Sequence, residues 1–154
     1  MKAAWVWLVA GALAGCGGRA ARWVEEAADA HAQADLLVRR GERQQASRVL
    51  EELVSRPVPA QVAAQDRRAV LQDAYARLAG LALEERRPSQ ALRYADAGLG
   101  LGETRDVFAS SLRTLRGRAH EALGQDAEAA RDYEAAQIVA EALLQEALSG
   151  GGAR

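Results

Sequence analysis

The chain has 154 residues, enough for one domain or one short repeat array. Hydrophobic residues make up 49% and aromatics only 5%, so alanine and leucine supply most of the apolar content, and both favour helix. Three prolines, one cysteine, few β-branched residues and a formal net charge of −1 argue against a β-sandwich or barrel, an intrachain disulfide, a cysteine-based zinc site and a general attraction for nucleic acid.

The first sixteen residues read as an address. Met1-Lys2 is a short positive start, and an apolar run from Ala3 to Ala14 follows. A membrane-spanning helix needs about 20 apolar residues, whereas this shorter run suits the middle of a secretory signal. It ends in Leu13-Ala14-Gly15-Cys16. The small residues let an extended chain enter a peptidase cleft, and the cysteine supplies a thiol. This stretch resembles the lipobox of bacterial lipoproteins. The resemblance implies a signal peptide over 1–15 and cleavage before Cys16. It further implies a diacylglycerol on the Cys16 sulfur and an acylated new N-terminus. Three acyl chains anchor far more firmly than one. Residues 16–22 are then the lipidated cysteine and a short tether. Gly17 and Gly18 stand where an aspartate would signal inner-membrane retention, which implies the periplasmic face of the outer membrane. Trp23 has two readings: an interfacial residue beside Arg19 and Arg22, or one packed on the first helix, the second being preferred.

Beyond the leader, punctuation divides the chain. Gly41-Glu42, Pro57-Val58-Pro59, Arg87-Pro88-Ser89, Leu99-Gly-Leu-Gly102 and Gly124 interrupt runs of helical spacing. The apolar periodicity between them predicts six helices, over about 21–40, 43–55, 60–86, 89–101, 104–123 and 126–148. Glu103 to Asp106 is a start signal, Asp126 a candidate N-cap, and residues 149–154 a flexible tail. The unbroken run after Val139 is expected to extend the last helix and cover the end of the last pair.

Three segments repeat. They are Gly41-Glu-Arg-Gln-Gln-Ala46, Arg86-Arg-Pro-Ser-Gln-Ala91 and Gly124-Gln-Asp-Ala-Glu-Ala129. Each turn is followed five residues later by alanine, and four later by Leu50, Ala95 or Tyr133. With Leu115-Arg-Gly117 and Ala136 in the third copy, the pattern resembles tetratricopeptide repeats. In these a glycine closes the first helix and small residues let two helices approach. The resemblance implies an all-α fold over 23–148: three TPR-like helical hairpins in a short right-handed superhelix, following a cleaved lipoprotein signal peptide. The departures are plain. The alanine intervals are 45 and 38 residues rather than 34, Arg86 replaces a turn glycine, and Arg116 stands where the family prefers leucine. An irregular antiparallel bundle is the competing architecture.

Little in the chain suggests catalysis. His31 and His120 have no metal-ligand spacing; His120 is read as a core or edge residue and His31 as solvated. The serines lack a nucleophile setting, and Gly98-x-Gly100-x-Gly102 is followed by no Gly-Lys-Ser/Thr, so it reads as a helix-end linker. The adjacent acidic pairs diverge by about 100° on a helix and form no dyad. No enzyme activity, cofactor or metal is therefore expected. What the repeat resemblance implies instead is a partner-binding groove. Its lining is His31, Asp35 and Arg39 from the first copy, Asp73, Ala76, Gly80 and Glu84 from the second, and Thr114, Arg118 and Glu121 from the third. A clamp for C-terminal carboxylates is excluded, since there is no asparagine and the only lysine, Lys2, lies in the leader. The implied function is that of a membrane-anchored, non-enzymatic adaptor or scaffold in the bacterial cell envelope. Its partners would be other envelope proteins and the membrane itself, through Cys16, with no nucleic acid. The alternative is a structural helical lipoprotein that self-associates at the membrane without a peptide ligand.

Overall fold

A computed structural model describes the backbone of residues 7–102 and 105–150, and the side-chain surroundings of residues 18–102 and 105–149. Six helices and no strand occur among the described residues: α1 (Trp7–Arg39), α2 (Arg43–Ser55), α3 (Ala64–Glu84), α4 (Pro88–Leu99), α5 (Val107–Ala122) and α6 (Asp126–Gly150). The chain divides into two compact units, Met1–Arg67 and Arg68–Arg154, with the boundary inside the first turns of α3.

The helix boundaries follow local chemistry. Arg56 ends α2 in an extended conformation (φ −71, ψ 141), which the following Pro57 imposes by crowding the helical region. Val62 N–H donates to Pro59 O at 3.0 Å, and the Val62 side chain is buried. This turn delays α3 to Ala64, past the expected start at 60. Pro88 opens α4, where its missing N–H costs nothing. α5 begins behind Asp106, whose carboxylate accepts from Ala109 N at 2.9 Å. An acceptor there satisfies one of the free N–H groups of the first turn. Asp126, by contrast, is not the cap of α6. It lies in the first turn, while the Gln125 carbonyl accepts from Ala129 N at 3.0 Å. α1 reaches back to Trp7 rather than starting near 21, so the tether assigned to 16–22 is helical in this structure. The first six residues of the leader, the Cys16 side chain and residues 151–154 of the tail lie outside the described residues.

Three turns share one hydrogen-bond pattern. Gly41 N donates to Val38 O (2.9 Å) and Glu42 N to Leu37 O (2.9 Å); Arg86 N donates to Leu83 O (3.0 Å) and Arg87 N to Ala82 O (2.8 Å). Likewise Gly124 N donates to Glu121 O (3.0 Å) and Gln125 N to His120 O (2.9 Å). These paired bonds define a Schellman turn, which requires a left-handed residue just beyond the helix. Gly41 (φ 78), Arg86 (φ 58) and Gly124 (φ 73) fill that place. Glycine adopts it freely, whereas Arg86 carries a Cβ against the following carbonyl.

Each turn sends a second helix back along the first. The buried sides of these second helices share one spacing: Ala46, Leu50 and Leu53 on α2; Ala91, Ala95 and Gly98 on α4; Ala129 and Ala136 about half-buried Tyr133 on α6. In the first unit, Trp23, Ala27, Ala34 and Leu37 supply the buried face of α1, and α1 packs on α2. Trp23 is only 5% exposed, in keeping with the packed reading. In the second unit, α3 and α4 meet through alanines. Ala79, Ala82, Ala91 and Ala95 form one buried cluster that Ala119 of α5 completes.

Small and large side chains trade places between copies. A Cβ on Gly117 would meet Tyr133 Cε1 at 2.7 Å, so the tyrosine ring of α6 fills the space over that glycine. At the equivalent point of the α3–α4 pair both residues are alanine, Ala79 and Ala95. Leu112 of α5 likewise occupies the surface of Gly98, where a Cβ would meet its Cδ2 at 2.8 Å. Over-filling such contacts costs about 1–3 kcal/mol.

The turn analysis yields a direct expectation. Arg86→Gly removes a left-handed penalty of roughly 1–2 kcal/mol and stabilises the protein by up to that amount in urea unfolding. Gly124→Ala, which introduces the penalty, destabilises it by a similar amount.

Candidate functional site

The residues singled out by sequence fall into two groups, one in each unit. In the first unit, His31 and Asp35 are half-buried and Arg39 is exposed at the end of α1. The half-burial of His31 corrects its reading as a solvated residue. It sits between the buried positions Ala27 and Ala34 on one helix, within reach of their packed face. In the second unit, Asp73 and Gly80 are half-buried, Ala76 is buried and Glu84 is exposed. Ala76 therefore presents almost no side-chain surface. Asp73 accepts from Arg77 Nε at 3.0 Å, one turn along its own helix. Thr114, Arg118 and Glu121 are exposed on α5. The Thr114 hydroxyl donates back to Ser110 O at 3.0 Å, and Glu121 accepts from the Tyr133 hydroxyl at 2.7 Å.

Two clefts accompany these positions. One, of about 290 Å³, lies between α1 and α2; Ala30, Val49 and Leu53 give it apolar walls, and Glu26, Asp29 and Glu52 a negative rim. Arg56 offsets part of that charge, 2.5 Å from Glu52 and 3.9 Å from Glu26, and these carboxylates, Glu52 foremost, hold the guanidinium pKa up. The second cleft, of about 490 Å³, lies between α5 and α6. Val107, Leu115, Ala140 and Leu143 give it an apolar character, with Ser110, Ser111 and Thr114 bringing hydroxyls. Among the sequence-selected residues it contains Thr114 alone.

A polar cluster that sequence reading did not assemble lies behind this surface. Asp132 on α6 is only 4% exposed. It accepts two bonds from Arg116 of α5, from Nε at 2.8 Å and from Nη2 at 2.5 Å. Arg116 Nη1 also reaches Asp96 of α4 at 3.1 Å, so one guanidinium ties three helices. His120 completes the group, with Nε2 3.7 Å from Asp132 and Nδ1 2.6 Å from Gln125 Oε1. The bonds from Asp132, and then those from Asp96, hold the Arg116 pKa above its ordinary value. The sequence signal was present as a departure, since arginine stands where the repeat pattern prefers leucine. Thirty-eight residues earlier the same three places hold Leu78, Ala82 and Tyr94. An apolar trio in one pair thus becomes an ionic trio in the next.

The same offset relates another contact. Gln72, fully buried, donates from Nε2 to Gly98 O at 3.2 Å and to Gly102 O at 3.3 Å. The Gly98–Gly102 stretch is therefore a clamped helix end rather than a phosphate loop. Ser110, at the equivalent place on α5, donates to Ala136 O at 3.1 Å, the counterpart of Gly98 O. No group of three metal-ligating side chains occurs among the described residues. No helix among them is long and apolar enough to cross a membrane. No family model matches the chain, and no curated protein matches it.

Two expectations follow from these contacts. Arg116→Leu strips the buried Asp132 carboxylate of both its guanidinium bonds, leaving His120 at 3.7 Å, and destabilises the protein by about 3 kcal/mol. The combined Arg116→Leu, His120→Ala, Asp132→Tyr variant restores the apolar trio and recovers most of that loss in chemical unfolding. Tyr133 gives a pH dependence. Burial of the phenol, then its bond to Glu121, push its pKa up to about 12 from the ordinary 10.0. The folded state therefore holds the Tyr133 proton more tightly than the unfolded state. That contribution is complete below pH 10.0 and is lost as pH rises to about 12. Urea midpoints should fall across this alkaline window in the wild type, and less steeply in Tyr133→Phe.

Proposed function

We propose that the chain is a bacterial lipoprotein, cut before Cys16 and held by lipid at the periplasmic face of the outer membrane. In this reading its helices form tetratricopeptide-type repeats that act as a non-enzymatic adaptor for other envelope proteins. The lipid half rests on the leader residues: a charged start, a short apolar run, and Leu13-Ala14-Gly15-Cys16 before the only cysteine.

The repeat half rests on one observation above the others. The Schellman turn recurs at Gly41, Arg86 and Gly124, five residues before the buried Ala46, Ala91 and Ala129. The 38-residue offset between the later two turns also carries Gln72–Gly98 onto Ser110–Ala136. Repeats of helical pairs offer a ridge of first-helix side chains to extended peptides or partner helices. Of the expected groove positions, Arg39 is exposed in the first unit and Glu84, Thr114, Arg118 and Glu121 in the second, and the mixed charge of the latter set suits such recognition. Half-buried His31, Asp35, Asp73 and Gly80 would support them, and buried Ala76 would serve close approach.

One experiment with two readouts tests both halves. The full chain is expressed in a bacterium with Cys16→Ser or with Arg39→Glu, and membranes are separated and solubilised. Cys16→Ser abolishes fatty-acid labelling and moves the protein from the membrane to the soluble fraction. Arg39→Glu keeps the label and loses co-purifying proteins that the wild type retains. Unchanged labelling in the first variant removes the lipoprotein reading, and an unchanged partner set in the second removes Arg39 from the groove.

A further inference from the structure

The second helix of the last pair outruns its partner. α5 begins at Val107, which lines the same cleft as Ala140 and Leu143, whereas α6 continues to Gly150. The run after Val139 was expected to cover the end of the last pair. Instead Leu144 is 61% and Leu148 73% exposed, and Val107 is 67% exposed. The two leucines are bare because α5 starts too late to lie opposite them, and Val107 is bare at the start of α5 itself.

The repeat offset indicates what kind of object covers such a surface. On α3 the stripe Ala69, Asp73, Ala76 and Gly80 is half-buried to buried, and Leu115 of α5 lies over Gly80. The equivalent stripe on α5 is Val107, Ser111, Thr114 and Arg118, and all four are exposed. A helix with leucines three residues apart, Leu112 and Leu115, packs on the α3–α4 pair. The α5 stripe has no such cover among the described residues. With Val107 of this stripe, Ala140, Leu144 and Leu148 beside it are exposed as well, and a cluster of exposed apolar side chains marks an interaction site.

We propose that this face is an interface between two copies of the chain, each laying its α6 overhang across the other's α5 stripe. Shape and charge both select a second copy. The overhang carries Ala140, Leu144 and Leu148 at four-residue spacing, a ridge fit for a neighbouring helix. Its charges are Glu141 and Glu146, with no cation between 137 and 150. The exposed charge that ends the α5 stripe is Arg118. Stripe and overhang meet around one cleft, so a twofold axis through it pairs both arginines with the opposite carboxylates at once. Two overhangs packed only on each other would gather four carboxylates without a cation, which disfavours that arrangement.

The test uses the purified full chain at fixed concentration. One tagged copy carries Thr114→Cys and a differently tagged copy carries Leu144→Cys, and the mixture is oxidised. A disulfide requires Cα atoms within about 7 Å, so a mixed dimer reports this register. The blank is the wild type, which keeps Cys16, and the control pair is Arg93→Cys with Leu144→Cys. The expected result is a mixed dimer at least tenfold above both. Arg118→Glu in both copies returns the yield to the control level, and adding Glu141→Arg with Glu146→Arg restores it. A Thr114–Leu144 yield equal to the control overturns the interface, as does a yield indifferent to Arg118→Glu. Since the purified chains are compared without membranes, this outcome is independent of the lipid anchor and of any groove partner.

Discussion

The left-handed turn between paired helices is the constraint from which the packing follows. A chain leaving a helix through this turn reverses within three residues, so positions at equal distances on either side come together. Gly117 then meets Tyr133, Ala79 shares a cluster with Ala95, and Gln72 reaches the end of α4. The side-chain volumes at facing positions then decide how near the two backbones come. Where the second helix brings an aromatic ring, the first retreats to glycine; where both bring alanine, the backbones approach closely. The need is geometric enough that Arg86 keeps the left-handed conformation without being glycine.

The polar trio of the last pair fills equivalent places with different chemistry. Arg116, His120 and Asp132 replace Leu78, Ala82 and Tyr94 at equivalent points. A buried ion pair pays for desolvation with its own bonds, and seldom adds net stability over a well-packed apolar set. What it adds is partner choice. Arg116 is satisfied only when Asp132 lies across from it and Asp96 lies beside it, so α6 has a single acceptable seat against α5 and α4. An alanine cluster such as that of α3 and α4 tolerates small slips more readily, because its contacts are non-directional.

The exposed surface differs in chemistry from this core. The polar groups that build it are spent on one another, whereas the exposed residues form mixed-charge ridges on the first helices and an apolar overhang on the last. The cleft between α5 and α6, with three hydroxyls on the α5 wall and Ala140 and Leu143 on the α6 wall, carries that division at close range. The acidic cleft of the first unit differs, since Arg56 on its edge is already paired with Glu52.

Composition and spacing alone determined the helical class, the placement of most breaks, and the three equivalent turns. Those features are local: glycine, proline and apolar period act within a few residues of chain. The same reading singled out Arg116 as a misfit and could not say why, because its partners lie on two other helices. It gave α6 a covering role that the late start of α5 removes, and it counted Ala76 among the groove residues although packing buries it. Tertiary structure alone decided those points. Burial and pairing depend on which helix faces which, and a single chain's periodicity records only that a face is apolar, never what lies against it.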